Sequence, residues 1–238
     1  MASSRILVVT PTLGRRSSLK RTILSVACIG GDRVHHVLSG PPSQLLQYSK
    51  QFPWIDIFDD SGSSGVYGSI NAVLKSDKFS SYEFFAYLND DDYWLPGFSR
   101  LLNVIHEKRS VDVVYARTVF VRPGDSGRLR LGPFTPALLD AASLFSVGIP
   151  AFTQQSLILR LQLLHDHGLF DLSRPISADS ILWQRILEAS PRVVSLNVFA
   201  SVYDLRGERL SNNPALRQSE VPVSNSSLSP SRKNLVCI

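Results

Sequence analysis

Phe84-Phe85-Ala86-Tyr87-Leu88-Asn89-Asp90-Asp91-Asp92-Tyr93-Trp94 is the stretch on which the reading of this chain turns. Its apolar start suits a strand buried on both faces, and the run stops abruptly at an Asn and three acids. Asp is poor in both helix and strand, and adjacent carboxylates repel one another, so a positive partner is expected beside them. Hard divalent cations prefer oxygen ligands, which makes such an ion one candidate. A solvated acidic turn is the plainer alternative. Delivering carboxylates at the C-terminal end of a buried strand is how an open α/β sheet presents a ligand site.

Outward from this stretch, strand and helix alternate. Arg5-Ile6-Leu7-Val8-Val9-Thr10 is aliphatic and β-branched and reads as another buried strand, broken by Pro11-Thr12-Leu13-Gly14. Ser17 or Ser18 is placed to cap a helix whose Leu19, Ile23, Leu24 and Ala27 share a face, and Gly30-Gly31 ends it. Residues 34–38 and 55–58 read as strands, with a short helix over 43–51 between them. A helix over 66–74 follows the polar loop Ser61–Gly65. Beyond the acids, Pro96 opens a helix carrying Phe98, Leu101, Leu102 and Ile105, and 111–121 is a strand with a bend. Residues 1–121 therefore predict a mostly parallel sheet covered by helices. Its C-terminal strand edges would form one rim bearing Thr10-Pro11-Thr12, Ser39-Gly40, Asp59-Asp60 and Asn89–Asp92.

Residues 122–210 are less regular and form the second half of the same domain. A hairpin is expected over 124–132, a helix over 136–145, a strand over 155–159 and a short helix over 161–167. An amphipathic helix over 177–189 starts at Ser177 and turns Ile181, Leu182, Ile186 and Leu187 inward; a strand over 193–203 follows. From Ser211 onward Ser, Asn and Pro dominate, so 211–238 reads as a loosely attached or disordered tail.

Composition narrows the function. The 238 residues are 44% hydrophobic and 19% charged, ordinary for a globular chain. No apolar run approaches the ~20 residues of a membrane helix, and the first residues lack the apolar core of a secretion signal. Cys28 and Cys237 suggest neither a disulfide framework nor a zinc site, the profile of a reducing, cytoplasmic setting. The net charge of +5 is scattered, which argues against nucleic acid. It suits an anionic ligand such as a nucleotide phosphate, or a peripheral hold on the anionic inner face of the cell membrane. The glycines at 62, 65 and 68 lack the spacing of a dinucleotide fingerprint, and no P-loop is present. His35-His36 and His165-x-His167 read as structural.

Several segments, in order and at matching spacing over roughly residues 5–205, resemble the family-2 glycosyltransferases of the GT-A fold, in particular bacterial members that build surface polysaccharides. These are the opening at Ile6–Val26 with Thr10-Pro11-Thr12 and Arg15, then Gly65-Val66-Tyr67-Gly68-Ser69-Ile70-Asn71, which is similar to G-[IV]-Y-D-A-M-N. Leu88–Trp94 resembles L-N-x-D-D-x-[YW], a local form of D-x-D. Phe152–Ser156 is similar to a segment containing H-Q-S. Gly168-Leu169-Phe170-Asp171 and Ala178–Trp183 resemble G-x-F-D and A-D-x-x-L-W. The chain departs from that pattern at Asn89, Gly68, Gln154 and Ser63, where relatives carry Asp, Asp, His and an acid.

The resemblance implies a GT-A (Rossmann-like) α/β fold and an inverting, hexosyltransferase-type enzyme. Such an enzyme moves a sugar from a nucleotide-diphosphate sugar to the hydroxyl of a glycan or lipid-linked acceptor. It implies a divalent metal, Mn²⁺ or Mg²⁺, on Asp91 with Asp90 or Asp92 assisting, and Asn89 near the ribose. Thr10, Pro11 and Thr12 would line the base and ribose pocket, Asp59 or Asp60 would accept from the base, and Arg15 would approach a phosphate. Tyr67 and Asn71 would face the donor sugar, or one of them would tie down the loop, and Asp179 would be the general base. Trp94 and Trp183 either line the acceptor cleft or pack in the core. The departures motivate an alternative: a non-catalytic member that binds nucleotide or glycan and supports a partner enzyme.

Overall fold

The computed structural model of the chain describes residues 6–206 apart from 109, 123, 125–129, 137–140 and 147–148. The expected tail therefore lies outside the described residues. The first strand, β1 (Ile6–Pro11), is buried along its whole length. It pairs in parallel with β2 (Val34–Ser39) on one side and β4 (Phe84–Tyr87) on the other, and β3 (Ile55–Phe58) pairs in parallel with β2. Because side chains alternate along a strand, Ile6 and Val8 pack on one face of the sheet and Leu7 and Val9 on the other. Helices α1 (Leu19–Gly30) and α4 (Phe98–Glu107) contribute Val26, Phe98, Leu101, Leu102 and Ile105 to the first layer. Helices α3 (Gly65–Leu74) and α7 (Ala178–Glu188) contribute Ile70, Val73, Leu182 and Trp183 to the second. Truncating one of these fully buried leucines to Ala costs about 2–5 kcal/mol. Helix α2 (Pro42–Gln51) closes a smaller cluster of Leu19, Ile23, Leu38 and Leu45.

The second half extends the same sheet. Strand β8 (Leu157–Arg160) runs antiparallel between β4 and β6 (Val113–Val121), and β9 (Val193–Asp204) runs parallel to β6. A two-residue strand that sequence reasoning did not predict, β5 (Tyr93–Trp94), pairs with β9 immediately after the three acids. The order is β3-β2-β1-β4-β8-β6-β9-β5, with β7 (Arg130–Leu131) paired to β6. The bend expected in β6 is present as register shifts against β9 on both sides of Arg117. The expected α/β class, a mostly parallel sheet between helices, is the observed one.

Several local expectations are corrected. The inner face of α1 is Leu19, Thr22, Ile23 and Val26, while Leu24 is 46% exposed. Residues 154–156 form a 3-10 turn ahead of β8; of the helix expected over 136–145, α5 (Ala141–Ser146) is described and residues 137–140 lie outside the described set. Of the expected hairpin, residues 125–129 lie outside the described set. A helix α6 (Leu161–Asp166) occupies the predicted place. Trp94 is buried with its ring stacked 3.7 Å from that of Phe98, and Trp183 is buried edge-on to Phe170, so both are core residues. No helix among the described residues is long and apolar enough to cross a membrane.

Candidate active site

The parallel strands bring their C-terminal ends to one rim. Backbone bonds carry the alignment past the strands: Thr12 N–H donates to Ser39 O at 2.9 Å, Gly40 N–H to Phe58 O at 3.1 Å, and Leu88 N–H to Val9 O at 3.0 Å. Gly40 is required there, since an added Cβ would lie 2.0 Å from Thr12 O. Along the rim the expected residues diverge. Thr10 is fully buried and its hydroxyl shares a 2.9 Å hydrogen bond with His36 Nε2. His36 is neutral, its pKa lowered to about 3 by burial and then by His35. Pro11 is buried as the last residue of β1. Asp59 is exposed and accepts from the Ser61 hydroxyl and, at 3.0 Å, the Ser61 N–H, which hold its carboxyl below the ordinary value. The Asp60 carbonyl closes the same turn by accepting from Ser63 N–H at 2.8 Å.

The three acids are given three different settings by what packs around them. Asp90 accepts from the Thr12 hydroxyl at 2.6 Å and pairs with Arg16 Nε at 3.2 Å. Its carboxyl is raised by burial, which outweighs the opposing effects of Thr12 and Arg16. Asp91 accepts from Arg16 Nη1 at 2.6 Å. Asp92 has no exposed surface. One of its carboxylate oxygens accepts from Gln155 Nε2 at 2.9 Å and Asn89 Nδ2 at 3.3 Å, and the other from the Asp204 N–H at 2.9 Å. Asp92 thus ties the loop to β9 and to the turn before β8, and Asn89 is drawn toward it.

Helix α1 anchors the loop from the other side. Ser18 stands at its N-cap, yet its hydroxyl bonds the Asp90 carbonyl at 2.9 Å instead of capping its own helix. Thr22 Oγ1 donates to the Asp92 carbonyl at 2.6 Å, and Arg21 Nη2 to the Asp91 carbonyl at 3.1 Å. The Arg21 guanidinium lies 4.2 Å from the centre of the Tyr93 ring and reaches Asp204 at 3.0 Å. Arg206 closes on Asp204 with Nη2 at 2.5 Å, and hydrogen bonds from Arg206 and then Arg21 hold that carboxyl far below the usual range against the effect of burial.

Between these groups opens a recess of about 660 Å³, lined by Arg15, Arg16, Arg21 and Arg206 with Asp91 and Asp204. The N-terminal turn of α1 adds Ser17 and Ser18 to its wall and the positive end of the helix dipole. Arg16, Arg21, Asp204 and Arg206 were not singled out in the sequence, and Gln155 stood out only as part of the segment similar to H-Q-S, with no role attached. Arg16 was hidden by its neighbour Arg15. Asp204 and Arg206 stand where the periodic pattern ends, and only an acid followed by a base at a strand exit marked them.

Asp179 sits elsewhere, in the first turn of α7, half-buried among aromatic groups. Its Oδ1 accepts from the Ser180 N–H at 2.7 Å. Burial raises its carboxyl, opposed by hydrogen bonds from Ser180 and the Tyr67 hydroxyl. Tyr67 stacks on Phe170 with ring centres 5.0 Å apart, and Phe170 meets Tyr87 edge-on at 5.7 Å. Burial, then the Asp179 charge, pushes the Tyr67 phenol up. Asn71 is buried and clamps the Phe170 backbone, donating to its carbonyl at 2.8 Å and accepting from its N–H at 3.2 Å. Its amide is therefore engaged within the fold.

Asp91 lines the recess and Asp90 shares Arg16 with it, their side chains 14% and 15% exposed. Two carboxylates already bridged by one cation have the donor chemistry for a hard divalent ion, whose remaining ligands come from phosphate or water. Among the described residues no third His, Cys, Asp or Glu completes a metal-binding group.

No protein-family model matches the sequence, and no curated protein matches it. Solved structures of S. aureus TarS do match in fold. Its residues 1–349 in complex with UDP-GlcNAc superpose with a TM-score of 0.66 at 19% identity, covering 88% of this chain and 61% of that one. A further TarS structure gives 0.65 at 16% identity over 84% of this chain and 37% of that one, and the UDP complex gives 0.61 at 18% over 84% and 60%. This chain thus spans 61% or less of the TarS chains it matches, and what it shares with them is the GT-A-like α/β sheet.

Proposed function

We propose that the chain transfers a sugar from a nucleotide-diphosphate sugar to an acceptor hydroxyl. The observation that carries this reading is the arginine-lined recess beside Asp90 and Asp91, at the strand-end rim of a fold shared with a protein crystallised with UDP-GlcNAc and UDP. A departing nucleoside diphosphate concentrates negative charge on its oxygens, and preorganised arginines aimed at that charge are the largest catalytic contribution such a site offers. Thr12 and the exposed Asp59-Asp60 turn would border the nucleoside. Asp90 and Asp91 would hold Mn²⁺ or Mg²⁺, and Asp92 would keep their loop in register. A bound divalent ion would supply Lewis-acid neutralisation of the diphosphate. Asp179 would take the acceptor proton. Its apolar surroundings raise its basicity, which suits a general base. A single base with no enzyme nucleophile corresponds to inversion. The acceptor class assigned is a glycan or lipid-linked glycan, reached from the cytoplasmic face of a membrane that the positive charge favours.

A panel of UDP, GDP and TDP sugars with Mn²⁺ tests the reading by thermal stabilisation and then transfer. At least one donor raises the melting temperature by mass action. No shift with any donor would sink it. A second reading, binding without turnover, is favoured by Gly68, where a Cβ would meet its nearest neighbour at an ordinary 3.5 Å, so the missing side chain is not excluded by space. Donor binding without transfer to any acceptor would select it.

A further inference from the structure

We propose that Arg16 is an internal counter-cation of Asp90 and Asp91 that a divalent metal displaces, so that this one side chain sets the metal affinity of the free protein. The transferase reading supplies the reason for the metal; the latch itself follows from geometry. Arg16 straddles the pair, Nε at 3.2 Å from Asp90 Oδ1 and Nη1 at 2.6 Å from Asp91 Oδ2, so it engages the two carboxylates that would hold the ion. Its side chain is 36% exposed against 15% and 14% for the carboxylates, so it is the most solvent-accessible of the three. Arg16 lines the recess beside Asp91, and two cations within a few ångströms repel strongly, so an ion there competes with the guanidinium.

The loop that carries the two carboxylates does not depend on Arg16 alone for its position. Thr12 holds the other oxygen of Asp90, Ser18 holds the Asp90 carbonyl, and Arg21 holds the Asp91 carbonyl. That separates a latch from a brace: when Arg16 leaves, Thr12 still holds the Asp90 carboxylate, and Ser18 and Arg21 still hold the backbone from which both side chains project. Arg16 sits in the Thr12–Ser18 connection between β1 and α1 and already lines the recess, so it has only to turn toward an anion there. Coupling of this kind is reciprocal: metal weakens the Arg16 contact by the factor with which Arg16 weakens metal binding.

Mn²⁺ alone, titrated into the full chain without nucleotide and followed by electron paramagnetic resonance of the free ion, tests this. Arg16→Ala binds Mn²⁺ more tightly by about tenfold or more, the equivalent of a charge-assisted hydrogen bond, and Arg16→Lys falls between. Equal affinity, weaker affinity, or binding to neither chain overturns the latch. The transferase reading stands or falls separately on donor binding and transfer. Should Arg16→Ala not fold, the unaltered chain still reports: with ¹⁵N-labelled arginine, saturating Mg²⁺ moves the Arg16 Nε–H resonance, assigned by its loss in Arg16→Lys. A resonance that stays put while Mg²⁺ binds overturns it equally.

Discussion

Asp91 and Asp179 are the same side chain in opposite surroundings. Asp91 belongs to a rim crowded by arginines, where the nearest groups are charged and the recess is open. Asp179 belongs to an aromatic corner built from Tyr67, Tyr87 and Phe170, where burial disfavours its charge. A carboxylate among cations is an anchor for charge; a carboxylate raised by desolvation is a proton acceptor. On the proposed function, the two settings would divide the labour of a transfer reaction: one would stabilise the leaving diphosphate and the other would activate the incoming hydroxyl.

The sharpest way to break this contrast is at Asp179. Asp179→Asn lowers transfer by about 10²–10⁴-fold, the contribution of a positioned general base, while leaving donor affinity unchanged in calorimetry. Full turnover in that variant would end the assignment. Next in size is Asp92, the acid that belongs to neither setting. Asp92→Ala strands the Gln155 amide and the Asp204 N–H inside the core and costs about 3 kcal/mol or more of stability in urea denaturation. A variant as stable as the parent would refute the structural role of Asp92.

On the arginine side, Arg206→Ala weakens donor binding about tenfold, in a salt-dependent way, as loss of a charge-assisted contact does. Unchanged affinity would remove Arg206 from the donor contacts. The smallest effect sharpens the aromatic side. A base works as its carboxylate, so kcat/KM falls as pH drops through the Asp179 pKa, and burial sets that fall above the ordinary carboxylate range. The Tyr67 hydroxyl stabilises the carboxylate, so Tyr67→Phe raises the pKa further and moves the acid limb of the pH profile to higher pH. An unmoved limb would show that Tyr67 only packs on Phe170.

Much of the rim was legible because its signals are local. An apolar run that ends in polar residues specifies a buried strand with a polar tip, and four such runs in alternation with helices imply one shared edge. The roles of the individual acids were not legible. Asp90, Asp91 and Asp92 are chemically identical in sequence, and only the direction each faces separates an open pair from a core hub. Asn71 illustrates the same gap from the other side: the sequence offered it as a donor-sugar contact or a loop tie, and only the fold shows its amide clamping Phe170, 99 residues away. The serine at the head of α1 was read correctly by position and not by partner.

What the sequence determined by itself is what short-range periodicity encodes. Strands of unbroken aliphatic residues, helices with one apolar face and the abrupt acidic stop at Asn89 all follow from neighbours within a few residues. The tertiary structure alone decided what those elements enclose. Inserting β8 antiparallel beside β4 brings Gln155 to Asp92. The short pairing of β5 with β9 brings Asp204 to Asp92 and Arg206 to the recess. Arg16, and not Arg15, lands on the carboxylates because of how the Thr12–Ser18 connection turns. The physical reason is that backbone conformation is set locally, whereas the meeting of groups 63 and 112 residues apart depends on which strand edges pair, and strand-edge hydrogen bonds carry no side-chain identity.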